Sequence, residues 1–198
     1  MGKWIGIAVV GLLVVAGISC AGTYNSLVTL DQQVQSQWAQ VENVYQRRMD
    51  LVPNLVETVK GAAAFEKETY TQVAEARAKA GQSTIDASKL SDQGAFDRFQ
   101  QSQDALSSSL SRLLVVAERY PELKADVQMR RLAEELTSTE NRVAFARQAY
   151  NDAVMQYNTA CEVFPASLLA RAYGHGTRAA LLTFEPGIAA APVLGLAT

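Results

Sequence analysis

Charge is missing from the first part of this chain: the twenty-seven residues from Trp4 to Leu30 include no Asp, Glu, Lys or Arg. Histidine is almost missing too, with His175 the single copy, and the only cysteines are Cys20 and Cys161. From Asp31 to Phe164 the breakers are few: Pro53, Pro121, Gly61, Gly81 and Gly94. Each scarcity excludes something. One histidine and two distant cysteines build neither a His/Cys or two-His metal set nor a disulfide framework. The Glu-x-x-His pairs of a di-iron bundle are absent. So are a Gly-rich phosphate loop, G-x-S-x-G and H-E-x-x-H. No residue is therefore assigned to catalysis, to a cofactor or to a metal, and the chain is not read as an enzyme.

What stands in place of charge is an apolar segment. Trp4 to Gly22 is long enough to cross a bilayer, which takes about 20 residues. No other stretch of the chain is. Three readings compete for it. A cleaved secretory signal wants a small-x-small site, and Ala16-Gly17-Ile18-Ser19 offers a loose one. A lipoprotein signal wants a cysteine after a small residue, as in Ser19-Cys20, but Gly17 stands where leucine is usual. Cys20 is thus a lipidation candidate. A retained anchor is the preferred reading. Trp4 and Tyr24 lie about 30 Å apart on a helix, the separation of the two aromatic belts.

Lys3 flanks the segment on one side, while the other side has no Lys or Arg before Arg47. Positive-inside bias then keeps the N-terminus in the cytoplasm and exports the body across the cell membrane. Without Lys3 the 18 basic residues become 17 against 20 acidic ones, a net charge of −3. Nothing in that balance calls for nucleic acid or anionic lipid. Cys161 falls on an apolar helical stripe and reads as a buried, inert thiol.

The body favours helix, being rich in Ala, Gln, Glu, Leu and Arg. Phe96, Phe99, Gln103, Leu106, Leu110, Leu113, Ala117 and Tyr120 alternate steps of three and four, the seam of a coiled coil or bundle. Gln103, its one polar member, is read as setting register. Leu27, Leu30, Val34, Trp38, Val41, Tyr45, Met49 and Val52 repeat the pattern before it, and no breaker separates them from the apolar segment. One rod from Trp4 to Leu51 is expected.

A second helix is expected from Pro53, with Asp50 as N-cap. Leu55, Val56, Val59, Ala62, Ala63, Phe65, Tyr70 and Val73 form its buried face, and the run Ala62 to Ala64 admits a close neighbour. Gly81 ends it in a polar loop over residues 81–92. After Tyr120-Pro121, one short turn capped by Asp126 leads into a last helix to Val163. Its seam is Met129, Ala133, Leu136, Val143, Ala146, Tyr150, Val154, Tyr157, Cys161 and Phe164. The expected fold is all-α: an anchor at 1–23, a long antiparallel four-helix bundle continuous with it at 24–164, and an apolar tail at 165–198. That tail either packs along the bundle or meets another subunit.

Four stretches carry a resemblance. They are Thr23-Tyr24-Asn25-Ser26-Leu27-Val28, the run Arg47-Arg48-Met49-Asp50-Leu51-Val52-Pro53-Asn54 on to Gly61, Tyr120-Pro121-Glu122-Leu123-Lys124-Ala125, and Thr139-Glu140-Asn141-Arg142 on to Tyr157-Asn158. Over residues 4 to 166 the sequence resembles the LemA family, which implies a membrane anchor carrying a long helical bundle and no established activity. The tail departs from it, since members usually carry a more polar, acidic stretch after the Phe-Pro that stands here as Phe164-Pro165. In physical terms, Asp50 to Gly61 shapes a helical hairpin, with Arg47 and Arg48 near a helix C-terminus where cations are favoured. Glu140, Asn141 and Arg142 read as polar residues hydrogen-bonded between helices.

Two classes of function survive. One is a membrane-tethered scaffold of the bacterial cell envelope, self-associating or recruiting an envelope protein, with Gly6, Gly11 and Gly17 as small anchor positions. The other is a sensor or binding module holding a small ligand or peptide between helices. The heptad seam argues for a filled core, so the scaffold is preferred.

Overall fold

The computed structural model describes residues 2–61, 67–175 and 179–182. They form six α-helices: α1 (Gly2–Lys60), α2 (Lys67–Gln82), α3 (Gln93–Ala117), α4 (Pro121–Ala125), α5 (Val127–Glu162) and α6 (Ala166–Ala172), with one 3-10 turn at Ala87–Lys89. No strand occurs among the described residues. The protein is an all-α bundle, as its seams require.

α1 is a single rod of 59 residues, about 88 Å long at 1.5 Å per residue. Apolar segment and body are one helix. Its end, however, is not at Leu51: the helix runs through Pro53 to Lys60. Proline lacks the N–H that would bond the carbonyl four residues back, and here Arg77 of α2 fills that carbonyl, donating from Nε to Met49 O at 2.9 Å. Asp50 is therefore an exposed mid-helix residue and not an N-cap. Arg47 and Arg48 likewise lie more than a turn from any helix end. The break falls at Gly61, and the Ala62 to Ala64 run with Phe65 lies outside the described residues.

The other boundaries fall close to expectation. Asp92 Oδ1 accepts from Ala95 N at 3.0 Å to start α3, and Asp126 Oδ1 accepts from Met129 N at 2.8 Å to start α5. Every α3 seam residue from Phe96 to Ala117 is buried, and Tyr120 is half-buried. The α5 seam is buried from Met129 to Tyr157, Cys161 is half-buried, and Phe164 is out of it at 77% exposure.

The seams make two apolar cores. The far core joins Val52, Leu55 and Val59 of α1 to Val73 of α2, Leu106 to Leu113 of α3, and Met129 and Leu136 of α5. Nearer the apolar segment, Val34, Trp38, Val41 and Tyr45 meet Phe96 and Phe99 of α3 and Val143, Tyr150, Val154 and Tyr157 of α5. Trp38 is fully buried there, with its ring 5.6 Å from Phe96, 5.4 Å from Phe99 and 5.3 Å from Tyr150.

α2 is too short to close the near core. Its place is taken by Ile85 and Leu90 from the α2–α3 loop and by Ala180 and Leu182 from the tail. The tail reaches them through a glycine. At the end of α6, Gly174 adopts φ +82°, while His175 N bonds Ala170 O at 2.8 Å and Gly174 N bonds Arg171 O at 3.4 Å. This closing motif needs a left-handed residue, which glycine supplies without strain. The described tail thus packs along its own bundle.

Candidate functional site

Between the two cores lies a polar layer. Steps of four, three and four from Val41 through Tyr45 and Arg48 to Val52 put Arg48 on the α1 seam, and its side chain is 1% exposed. Its Nη1 donates to Ser107 Oγ of α3 and, at 3.2 Å, to Glu140 Oε1 of α5. Its Nη2 donates to the backbone oxygen of Gln103 at 3.1 Å and to Gln103 Oε1. The guanidinium also stacks 4.8 Å from the Tyr45 ring centroid. Beside it, Arg147 Nη1 of α5 reaches Asp104 Oδ1 of α3 at 3.3 Å.

One guanidinium therefore ties three helices together. Burying such a charge is costly unless it is paired and hydrogen-bonded, and Glu140 supplies the pairing carboxylate. Sliding any one helix by a turn would strand the Arg48 charge in an apolar core, so the layer sets register. Gln103, expected from its seam position to set register, is buried and accepts from Arg48 in this layer. Within the layer, burial pushes the Tyr45 phenol above its ordinary value, against the pull of the Arg147 and Arg48 charges. Arg47, one residue before Arg48, is a surface group whose Nη2 meets Glu135 Oε1 at 2.8 Å.

Sequence reasoning put Glu140, Asn141 and Arg142 between helices. Glu140 is there; Asn141 and Arg142 are exposed. It missed Arg48, Ser107, Thr139 and Arg147 as buried polar residues. The signal for Arg48 was its seam position, obscured because Met49 beside it is the apolar choice.

A second polar system docks the tail. Asn158 exchanges two bonds with Ala179, Nδ2 to O and N to Oδ1, both at 3.2 Å. Asn151 does the same with Leu182 at 2.8 and 2.9 Å. Tyr150 Oη donates to Ala180 O at 2.9 Å, and Ala180 N donates to Leu90 O at 2.9 Å. These two amides, one α5 heptad apart, hold the tail segment as a strand neighbour would. Tyr157 Oη and Cys161 Sγ donate to the backbone oxygen of His175 at 3.4 and 3.3 Å. Burial raises the Cys161 thiol above its ordinary value, the Tyr157 bond pulling the other way.

Cys20 is half-buried within the unbroken α1 and carries no disulfide. Among the described residues, nothing lies within 4 Å of where a side chain on Gly6, Gly11 or Gly17 would begin. Among the described residues no group of three or more His, Cys, Asp or Glu gathers as metal ligands would.

The model of the LemA family matches residues 37–192, taking in the polar layer and the tail-docking amides. The chain belongs to the LemA family. The match also runs well into the tail, beyond the residue 166 at which the sequence resemblance stops. Among curated relatives, this LemA-family chain is similar to magnetosome protein MamQ of Magnetospirillum gryphiswaldense, 26% identical over 171 residues, 76% of this chain and 61% of MamQ. Magnetosome protein MamQ 2 of Paramagnetospirillum magneticum is 26% identical over 167 residues, 74% of this chain and 60% of its own length. The chain thus spans about three-fifths of the length of these relatives.

Proposed function

We infer that this protein is a membrane-tethered helical scaffold of the bacterial cell envelope, working by association and not by catalysis. One observation carries the reading: the apolar segment and the Arg48 layer belong to one uninterrupted helix. A tether so joined transmits position and orientation to the bundle instead of leaving it on a flexible leash. Charge asymmetry about Lys3 favours an N-terminus in the cytoplasm with the bundle exported. Cys20 is retained inside the helix in this reading, and its lipidation is the competing proposal.

Self-association is part of the reading. Because the described tail docks on its own chain, its support comes from α1, whose Gly6, Gly11 and Gly17 meet nothing within 4 Å among the described residues and would let a second α1 approach closely. Native mass spectrometry in mild detergent tests it. Oligomers are expected both for the full chain and for a chain ending at Phe164, the shorter one being less stable. A full chain that is monomeric in mild detergent would remove the scaffold's main support. Mass spectrometry of membrane-extracted protein separates anchor from lipoprotein: a chain beginning at diacylated Cys20 ends the anchor reading. Topology is read by a cysteine at exposed Ser88, expected to react with an impermeant reagent in intact cells.

A further inference from the structure

The end of the bundle nearest the apolar segment does not look like a surface made for water. There α5 turns into α6 through an elbow, and Val163, Phe164 and Leu168 are 54, 77 and 69% exposed. Beside the elbow, an open groove of about 780 Å³ runs between α1 and α5, lined by Gly22, Leu27 and Leu30 on one side and Met155, Ala160 and Val163 on the other. Thr23, Ser26, Gln156 and Thr159 also line it, but its exposed surface is mostly apolar. With the elbow side chains it forms a patch of the kind that marks an interaction surface.

Height along α1 identifies what covers it. The groove begins at Gly22, and the Tyr173 ring after α6 packs 5.1 Å from the ring of Tyr24. Residues 3–19 of α1 are exposed, and among the described residues nothing packs on the most apolar window. A span of about 20 residues beginning near Trp4 ends near Tyr24. The elbow therefore lies level with the point where α1 leaves the hydrocarbon. Tyr24 and Tyr173, both part-exposed, stand there as interfacial aromatics do, and exposed Arg171 is placed to snorkel.

We propose that the α5–α6 elbow is a second membrane contact: Phe164 and Leu168 insert into the interface of the bilayer that α1 crosses. The contact holds the bundle at one fixed tilt over the surface. It rests on reading residues 3–22 as a retained span, and the test separates the two.

Single cysteines at Leu168, Leu12 and Val127 are introduced into the full chain carrying Cys20→Ser and Cys161→Ala. Each is spin-labelled and reconstituted in vesicles of phosphatidylethanolamine and phosphatidylglycerol, with helicity checked by circular dichroism. Collision with oxygen, which prefers lipid, is compared with collision with a water-soluble nickel chelate. Val127 is exposed at the opposite end of α5, about 50 Å away, and should favour the chelate. Leu168 should show the inverted ratio, favouring oxygen, and a label at Phe164 should agree. A Leu168 label that behaves like Val127, or is shielded from both reagents as beneath a second protein copy, overturns the proposal. Leu12 reports independently on the span: oxygen preference there with chelate preference at Leu168 sinks the elbow contact alone, whereas chelate preference at Leu12 sinks the span.

Discussion

Arg77 donates from Nε to the carbonyl of Met49 at 2.9 Å, the carbonyl that Pro53 deprives of its helical partner. A proline inside a helix costs about 3 kcal/mol, partly through that orphaned acceptor. Here a neighbouring helix supplies the missing donor, and α1 continues for almost two more turns.

The pair should therefore be energetically coupled. Arg77→Ala is expected to lose about 1–2 kcal/mol of stability, the usual cost of leaving a shielded acceptor unpaired. With Pro53→Ala already present, residue 53 offers its own N–H to Met49, and Arg77→Ala should cost clearly less. A double-mutant cycle by chemical denaturation measures this; additive losses would mean the bond is incidental.

Arg48 makes a sharper case. Arg48→Met leaves Gln103 and Ser107 unpaired in the core and Glu140, a quarter exposed, without its partner, a loss of about 1–3 kcal/mol. Replacing the layer together, as Arg48→Met, Gln103→Leu and Glu140→Leu, should recover most of that loss, since an apolar layer would join the two cores. Stability measured for the single and triple variants decides it. A triple variant no better than Arg48→Met would mean the layer does more than satisfy its own charge.

Much of this architecture was legible because heptad steps report burial directly. The α3 stripe was read without a miss from Phe96 to Ala117, and Asp126 was recognised as a cap from its place after a short turn. Pro53 misled for a physical reason: its local cost is fixed by its ring, but the compensation comes from Arg77, twenty-four residues on. Arg48 misled because a charge reads as surface unless its partners on other helices are known. Tail docking was illegible for a related reason. Asn151 and Asn158 are ordinary polar helix residues until Ala179 and Leu182 arrive beside them.

Leu110 tests the seam itself. It is 2% exposed in the far core, so Leu110→Ala should lose about 2–5 kcal/mol, as buried leucine truncations do. Ser109 is half-buried, and its hydroxyl bonds Leu106 O of its own helix at 2.8 Å. Ser109→Ala should be nearly neutral in the same denaturation assay. Similar small losses at both positions would refute the stripe.

Tail docking should also show in alkaline solution. Burial holds the Tyr150 phenol well above its ordinary value of 10.0, and the Cys161 thiol above its ordinary 9.0. Both folded values are raised, so the stability these neutral groups contribute is fully present below the unfolded values and is lost as pH rises beyond them. Melting temperature should stay level through neutral pH and fall from about pH 9 upward as the unfolded chain ionises first. Tyr150→Phe removes the bond to Ala180 O, so it should start about 1 kcal/mol less stable at neutral pH. Its alkaline decline should be shallower, because one of the raised groups is gone while Tyr45, Tyr157 and Cys161 remain. Asn158→Ala provides the second arm, cutting both bonds to Ala179 and loosening the segment over Cys161. Thiol alkylation at Cys161, followed in Cys20→Ser protein, should then speed up while far-ultraviolet dichroism stays unchanged. Equal alkylation rates in the presence and absence of Asn158 would mean that the tail is held elsewhere.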